Sequence, residues 1–301
     1  MPLILYASTW LSTYFAGSLG FWQFGEQFGP WAAFQFSAGI MTILSCHEMG
    51  HYLQTRRYKV PASLPYFLPV PISPFGTMGA VIGMDASIPN RRALFDIGIS
   101  GPLAGLLPTF FFCVVGIKHS IPIPHALLET PYGKPLLYEW ITTWVHGPLP
   151  PEIDLMPHPF AVAGWVGLFI TSLNLLPIGQ LDGGHVLYAL LKKRAHLAAT
   201  FLLYTLVVAV ILFQAYAWFI MIVLLIMMGP KHQSTRNDTS KIGPARAILG
   251  WSTLCFVVIG FTPMPLLDMP SGHPKNRPPV YVNAPVETVE DAGDAPTSLS
   301  E

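Results

Sequence analysis

The chain has 301 residues, of which 52% are hydrophobic and only 11% charged, with a mean hydropathy of +0.49. That composition excludes an ordinary soluble protein and predicts an all-α polytopic membrane protein. Sixteen basic residues balance sixteen acidic ones, so no charge excess points to a nucleic-acid partner.

Residues 3–22 are uncharged and apolar, long enough to span a bilayer, and lack the basic leader and small-residue cleavage site of a signal peptide. They predict a retained first helix. An aromatic turn over 21–31 suits a membrane interface, and a second helix is predicted over 31–55, closed by Arg56, Arg57 and Lys59. The last third of that helix carries His47-Glu48-Met49-Gly50-His51. Four residues apart on a helix, the two imidazoles share one face. They suit a zinc ion, with Glu48 placed to act as general base on a water at the metal. A carboxylate inside an apolar helix is costly in hydrocarbon, which favours a metal-site reading over a chance match. The cysteines, Cys46, Cys113 and Cys255, show no CxxC pattern and read as small core residues.

Between 60 and 87 five prolines and three glycines exclude helix and predict a short, membrane-associated β-like region after the second helix. Residues 74–82 read as a turn feeding an edge strand. Such an edge beside a hydrolytic site would hold substrate by strand addition, with Gly76 and Gly79 as candidate substrate-binding positions. A third helix is predicted over 93–117, where Gly101-Pro102-Leu103-Ala104-Gly105 reads as a close-packing segment. Residues 118–159 read as an extramembrane loop with one short interfacial helix over 136–145.

A fourth helix is expected over 160–177, after which Leu181-Asp182-Gly183-Gly184 breaks it and turns one carboxylate toward the bundle. HExxH supplies two protein ligands where a catalytic zinc takes three, and Asp182 is the carboxylate available as the third. His185 beside it reads as a polar residue at a helix start. Further helices are expected over 197–213, 216–229 and 247–261. That gives six to seven spans within a transmembrane domain of residues 1–262, followed by a disordered tail over 263–301. Alternating helices place twelve Lys and Arg on one side and four on the other. The positive-inside rule makes the first side cytoplasmic, with His51 and Asp182 both toward it.

His47-Glu48-Met49-Gly50-His51 together with Asn174-Leu175-Leu176-Pro177-Ile178-Gly179-Gln180-Leu181-Asp182-Gly183 resembles the HExxH and NxxPxxxLDG pair of the site-2 protease family, intramembrane zinc metalloproteases of peptidase family M50. The stretch from Gly76 to Gly105 is similar to the bacterial and plastid subgroup that lacks a PDZ domain. The resemblance covers residues 35–265. It implies one Zn2+ per chain on His47, His51 and Asp182, Glu48 as base, and Asn174 as a residue that helps hold substrate or transition state. It implies as substrate a membrane protein with a transmembrane segment, often cut first by a site-1-type protease, and as location a bacterial inner membrane or a plastid membrane. Tyr58-Lys59 departs from the family pattern, which has Gly after the catalytic helix. Two other readings are an inactive zinc-containing scaffold of the same family, and a metal transporter. The first would tolerate loss of Glu48, which is present; the second would stage ionisable groups across the bilayer, whereas here they cluster at one depth.

Overall fold

The computed structural model describes residues 1–263 apart from 20, 21, 23, 25, 86, 126–131, 216, 217, 231 and 233; the expected tail over 263–301 lies outside the described residues except for its first position. The chain is mostly helical. Helix α1 (Pro2–Ser18) is followed by α2 (Ala32–Arg57), an antiparallel pair β1 (Tyr66–Pro69) and β2 (Thr77–Val81), and α3 (Arg91–Lys118). A second antiparallel pair, β3 (Ile121–Pro124) and β4 (Ile153–Met156), brackets the short helix α4 (Leu136–His146). Then come α5 (Pro159–Asn174), α6 (Asp182–Leu191), α7 (Arg194–Leu212), α8 (Phe219–Met228) and α9 (Pro244–Gly260).

Several elements differ from the sequence expectation. The first helix stops at Ser18 rather than 22, and the fifth stops at Asn174 rather than 177, because Pro177 removes an amide donor and biases the residue before it away from helix. The expected break after the fourth predicted helix falls at residues 175–181, ahead of the Gly183-Gly184 pair, which lies inside a ten-residue helix opened by Asp182, α6. The loop over 118–159 contains the β3/β4 ladder, whose alternating prolines hid its strand character. By length and apolarity alone, α3 and α7 qualify as membrane spans, while α5, α8 and α9 are apolar but shorter.

Helices α2, α3 and α5 form the centre. On α2 the buried stripe runs Phe36, Ile40, Ile43, Leu44, His47 and Glu48, the three-to-four spacing of one helix face. Small residues set how closely the three helices approach: a Cβ at Gly39 would meet Ala163, one at Gly164 would meet Cys113, and one at Gly167 would meet Thr109. Without a strong hydrophobic drive between helices in lipid, such close van der Waals packing is what holds them together. An aromatic cluster closes the opposite end of the bundle from Arg57. Trp165 stacks on Phe169 at 5.5 Å, and Trp22, itself buried, lies 5.7 Å from Phe36 and 5.9 Å from Trp165. Large apolar side chains of α7 face outward, Leu197 at 76% exposure and Phe201 at 75%, as a lipid-facing surface does.

The turn after α2 accounts for the unusual Tyr58-Lys59. Lys59 adopts a left-handed backbone (φ 55°), where Gly carries no steric cost and a lysine costs on the order of 1 kcal/mol. Tyr58 offsets that cost with a tie: its hydroxyl donates to Asp96 at 2.5 Å, and Arg246 of α9 grips the same carboxylate at 2.8 and 2.9 Å. The end of α2, the start of α3 and the start of α9 are thereby fastened to one another.

Candidate metal centre

Helix α2 presents His47 and His51 one turn apart, and α6 presents Asp182 from its first position. Asp182 Oδ2 lies 3.1 Å from His47 Nε2 and 3.3 Å from His51 Nε2, and the two Nε2 atoms are 3.2 Å apart. A tetrahedral zinc with bonds of about 2.05 Å separates its ligand atoms by about 3.3 Å, so this triangle has the size of three corners of that tetrahedron. It is the His/Cys/Asp/Glu cluster with metal-ligand spacing among the described residues. The donor set, two imidazoles and a carboxylate with the fourth corner left for water or substrate, is that of a catalytic rather than a closed structural site.

Each ligand is aimed by its surroundings. Ile97 O lies 2.7 Å from His51 Nδ1; a proton on that nitrogen donates to the carbonyl and leaves Nε2 with its lone pair toward the centre. Asp182 at the N-terminus of α6 meets the positive end of the helix dipole, which favours its ionised form. Arg91, buried at the start of α3, donates to Ala189 O and Leu190 O at the other end of α6 and so fixes the axis along which Asp182 points.

The residues between the ligands are as specific as the ligands. A Cβ on Gly101 would lie 2.5 Å from His51 Cε1 and nearer still to its Nε2. One on Gly105 would lie 3.1 Å from His47 Cβ, and one on Gly98 would lie 2.8 Å from His185 Cβ. Positions 98, 101 and 105 occupy one face of α3 and form the groove into which the metal-facing side of α2 and the start of α6 settle. The sequence reading treated Gly101 to Gly105 as helix packing. The packing is real, but its partners are the ligand imidazoles, and the three-and-four spacing of the glycines was the signal that could have revealed it.

Beside the triangle lies a cavity of about 260 Å³ lined by Glu48, Asn174, Gln180 and His185 as well as the three ligands, with Ala80, Val81, Ile82 and Met84 along one wall. Glu48 is buried, and Asn174, at the end of α5, places Nδ2 3.4 Å from His47 Nε2. The structure therefore brings His47, Glu48, His51, Asn174 and Asp182 together. It does not bring Gly76 or Gly79 to this cavity. Gly76 packs instead against α1, where its carbonyl accepts from Ser12 Oγ at 2.5 Å and a Cβ would strike the Thr13 backbone. Gly79 (φ 90°) faces open space, and the residues just beyond it line the wall. His185 lies with Nδ1 2.5 Å from His232 Nε2.

A mostly helical chain with apolar, outward-facing helices and a two-His, one-Asp group at metal-ligand spacing defines a class of membrane proteins with a candidate metal centre. The comparisons with known proteins name the family: residues 35–215 match peptidase family M50, and the chain belongs to it. It is 29% identical over 239 residues to a probable chloroplastic zinc metalloprotease, EGY1, of Arabidopsis thaliana, an alignment covering 77% of this chain and 43% of that protein. It is 34% identical over 170 residues to the EGY1 of Oryza sativa subsp. japonica, covering 54% and 29%. The probable zinc metalloprotease EGY3 of Oryza sativa subsp. indica is 32% identical over 181 residues, covering 54% and 30%. The chain thus spans less than half the length of each of these relatives. No solved structure matches it.

Proposed function

We propose that this chain is an intramembrane zinc metalloprotease that hydrolyses peptide bonds in or near the transmembrane segments of other membrane proteins. The observation that carries this reading is the convergence of His47, His51 and Asp182 at zinc spacing with Glu48 and Asn174 on the same cavity. When bound, zinc supplies a Lewis acid for the scissile carbonyl and makes its water acidic enough to lose a proton near neutral pH. His47 and His51 would hold the ion with neutral nitrogens, and Asp182 would balance half of its charge. Glu48 would take a proton on its carboxylate as the water oxygen bonds to the carbonyl carbon, and would deliver it to the amide nitrogen as the C–N bond breaks. Asn174 donates from Nδ2 to the carbonyl oxygen as negative charge builds there.

Peptide hydrolysis requires an unwound substrate, because helical amides hold their own hydrogen bonds. The wall formed by Ala80, Val81 and Ile82 supplies an extended backbone alongside which such a segment would lie. In this reading α1, α2, α3, α5, α7 and α8, with or without α9, span the membrane as a domain of residues 1–262. The charge asymmetry supports a centre that faces the cytoplasmic side or its plastid equivalent. The substrate is a membrane protein already shortened by a site-1-type protease, and the host membrane is plastid or bacterial.

The test is cleavage of a labelled single-pass substrate by the purified protein in lipid, with Glu48→Gln and Asp182→Ala beside wild type. Cleavage by wild type alone supports the reading. Equal rates for wild type and Glu48→Gln would sink it.

A further inference from the structure

A second cavity of about 340 Å³ adjoins the metal cavity and shares Ile82, Met84, Gln180 and His185 with it. Six of its nine lining residues are polar, namely Asp85, Gln180, His185, His232, Ser234 and Thr235, and burying such groups is least costly against a segment that can hydrogen-bond to them.

The outer wall is a built surface. Ahead of α9, His232 and Asp238 are tied to α6 by the His185–His232 contact and by Tyr188 Oη donating to Asp238 at 2.7 Å, and Ser240 is tied to α3 by the buried Arg91, which donates to its carbonyl at 3.0 Å. Arg236 N also donates to Ile88 O at 3.0 Å, which closes the wall against the segment leading into α3.

The inner wall is the extended chain that leaves β2, paired with residues 61–63 through the isolated bridge Ala62–Met84. Ser63 N donates to Gly83 O at 2.8 Å, and Asp85 N donates to Pro61 O at 3.0 Å, so the peptide groups of Gly83 and Asp85 point toward residues 61–63. Along a strand successive residues turn their N–H and C=O to opposite edges. Ile82 and Met84 therefore direct theirs the other way, and these are the two wall residues that line both cavities. From Ala80 to Met84 an extended chain covers about 13 Å. A polypeptide lying along this edge would leave the metal centre and enter the polar cavity about four residues later.

We propose that the second cavity is a substrate subsite, which receives the hydrophilic segment flanking the scissile bond and holds it extended against the Ile82–Met84 edge. This rests on the protease reading for its occupant, and it adds a determinant of selectivity: the enzyme reads polar residues about four positions from the bond it cuts, as well as an unwound transmembrane segment.

The test measures binding rather than turnover. Zinc-loaded Glu48→Gln protein in lipid nanodiscs is titrated with two fluorescent peptides, one carrying the transmembrane segment with its hydrophilic flank and one truncated before it. The flanked peptide should bind at least about tenfold more tightly, a difference of ~1.4 kcal/mol. N-methylation of alternate flank amides, which removes the donors a strand edge needs, should erase that preference, as should Ser234→Trp, which fills the cavity. Equal affinities for the two peptides would overturn the proposal, and so would a preference that survives N-methylation; this arm needs no change in the wall of the second cavity and decides the matter if Ser234→Trp fails to fold. Wild type that shows the binding preference yet cleaves neither peptide would defeat the protease reading and leave the subsite standing.

Discussion

Gly101→Ala is the sharpest perturbation the centre offers, because it adds one methyl group against the His51 ring while leaving the identities of the candidate ligands and base unchanged. The new Cβ would lie 2.5 Å from His51 Cε1, whereas carbon atoms in contact rest at about 3.5–4.0 Å. The imidazole must retreat by about 1 Å, five times the roughly 0.2 Å tolerance of a zinc–ligand bond. Losing one of three protein ligands in this way should weaken zinc binding at least about a hundredfold, near 3 kcal/mol. The helix itself gains from the change, since Ala is favoured over Gly by about 1 kcal/mol in a helix interior, so a fall in affinity cannot come from a weakened α3. The assay is competition for zinc against a graded chelator, alongside the thermal midpoint of the metal-free protein. Gly105→Ala is the internal control: its Cβ would sit 3.1 Å from His47 Cβ, a few tenths of an ångström to absorb, and should cost about tenfold or less. Zinc affinity at the wild-type level in Gly101→Ala would refute the claim that α3 is shaped around the ligand ring.

Other outcomes follow from the same geometry. Glu48→Gln should retain about one zinc per chain by metal analysis while cleavage falls by about two to four orders of magnitude, and His47→Ala should lose most of the metal. Asn174→Ala should keep its zinc and lower kcat about tenfold to a hundredfold with little change in KM, as expected for a donor that works on developing charge; a pure KM effect would place Asn174 in ground-state binding instead. His158 caps α5 by accepting the Phe160 amide at Nδ1, 3.1 Å away, which requires the neutral ring. Burial and the neighbouring His119 push its pKa down to about 4 from the ordinary 6.5. The folded state thus binds fewer protons than the unfolded one across that window. Stability should be full above about pH 6.5 and fall as pH drops toward 4, and His158→Asn, which caps without titrating, should flatten that limb in a thermal-melt series.

Much of the centre was legible along the chain because its parts are local. HExxH needs only the pitch of a helix to bring two imidazoles to one point, and a lone Asp ahead of Gly-Gly in an apolar segment stands out by composition. The strand over 77–81 followed from prolines and glycines that forbid helix. What escaped notice depends on partners distant in sequence. Gly76 looked like a substrate contact because it opens the strand, but residue 12, brought alongside by α1, occupies the space it faces. The β3/β4 ladder pairs residues 29 to 35 positions apart, and the alternating prolines of β3 mimic a loop.

The sequence by itself determined the candidate ligands, the candidate base and the membrane class, since each is carried by a short motif or by bulk composition. The tertiary structure alone decided how these meet. It showed that α6 is a separate helix, set by Arg91 so that Asp182 reaches the histidines, and that the glycines of α3 leave room for the His51 ring. It also showed that His232, Ser234 and Thr235, ahead of α9, line a second cavity beside the first. The physical reason is range: helix pitch and hydropathy act over a few residues, whereas close packing and hydrogen bonds such as that from Arg91 to Ser240 join groups 149 positions apart, which no local pattern records.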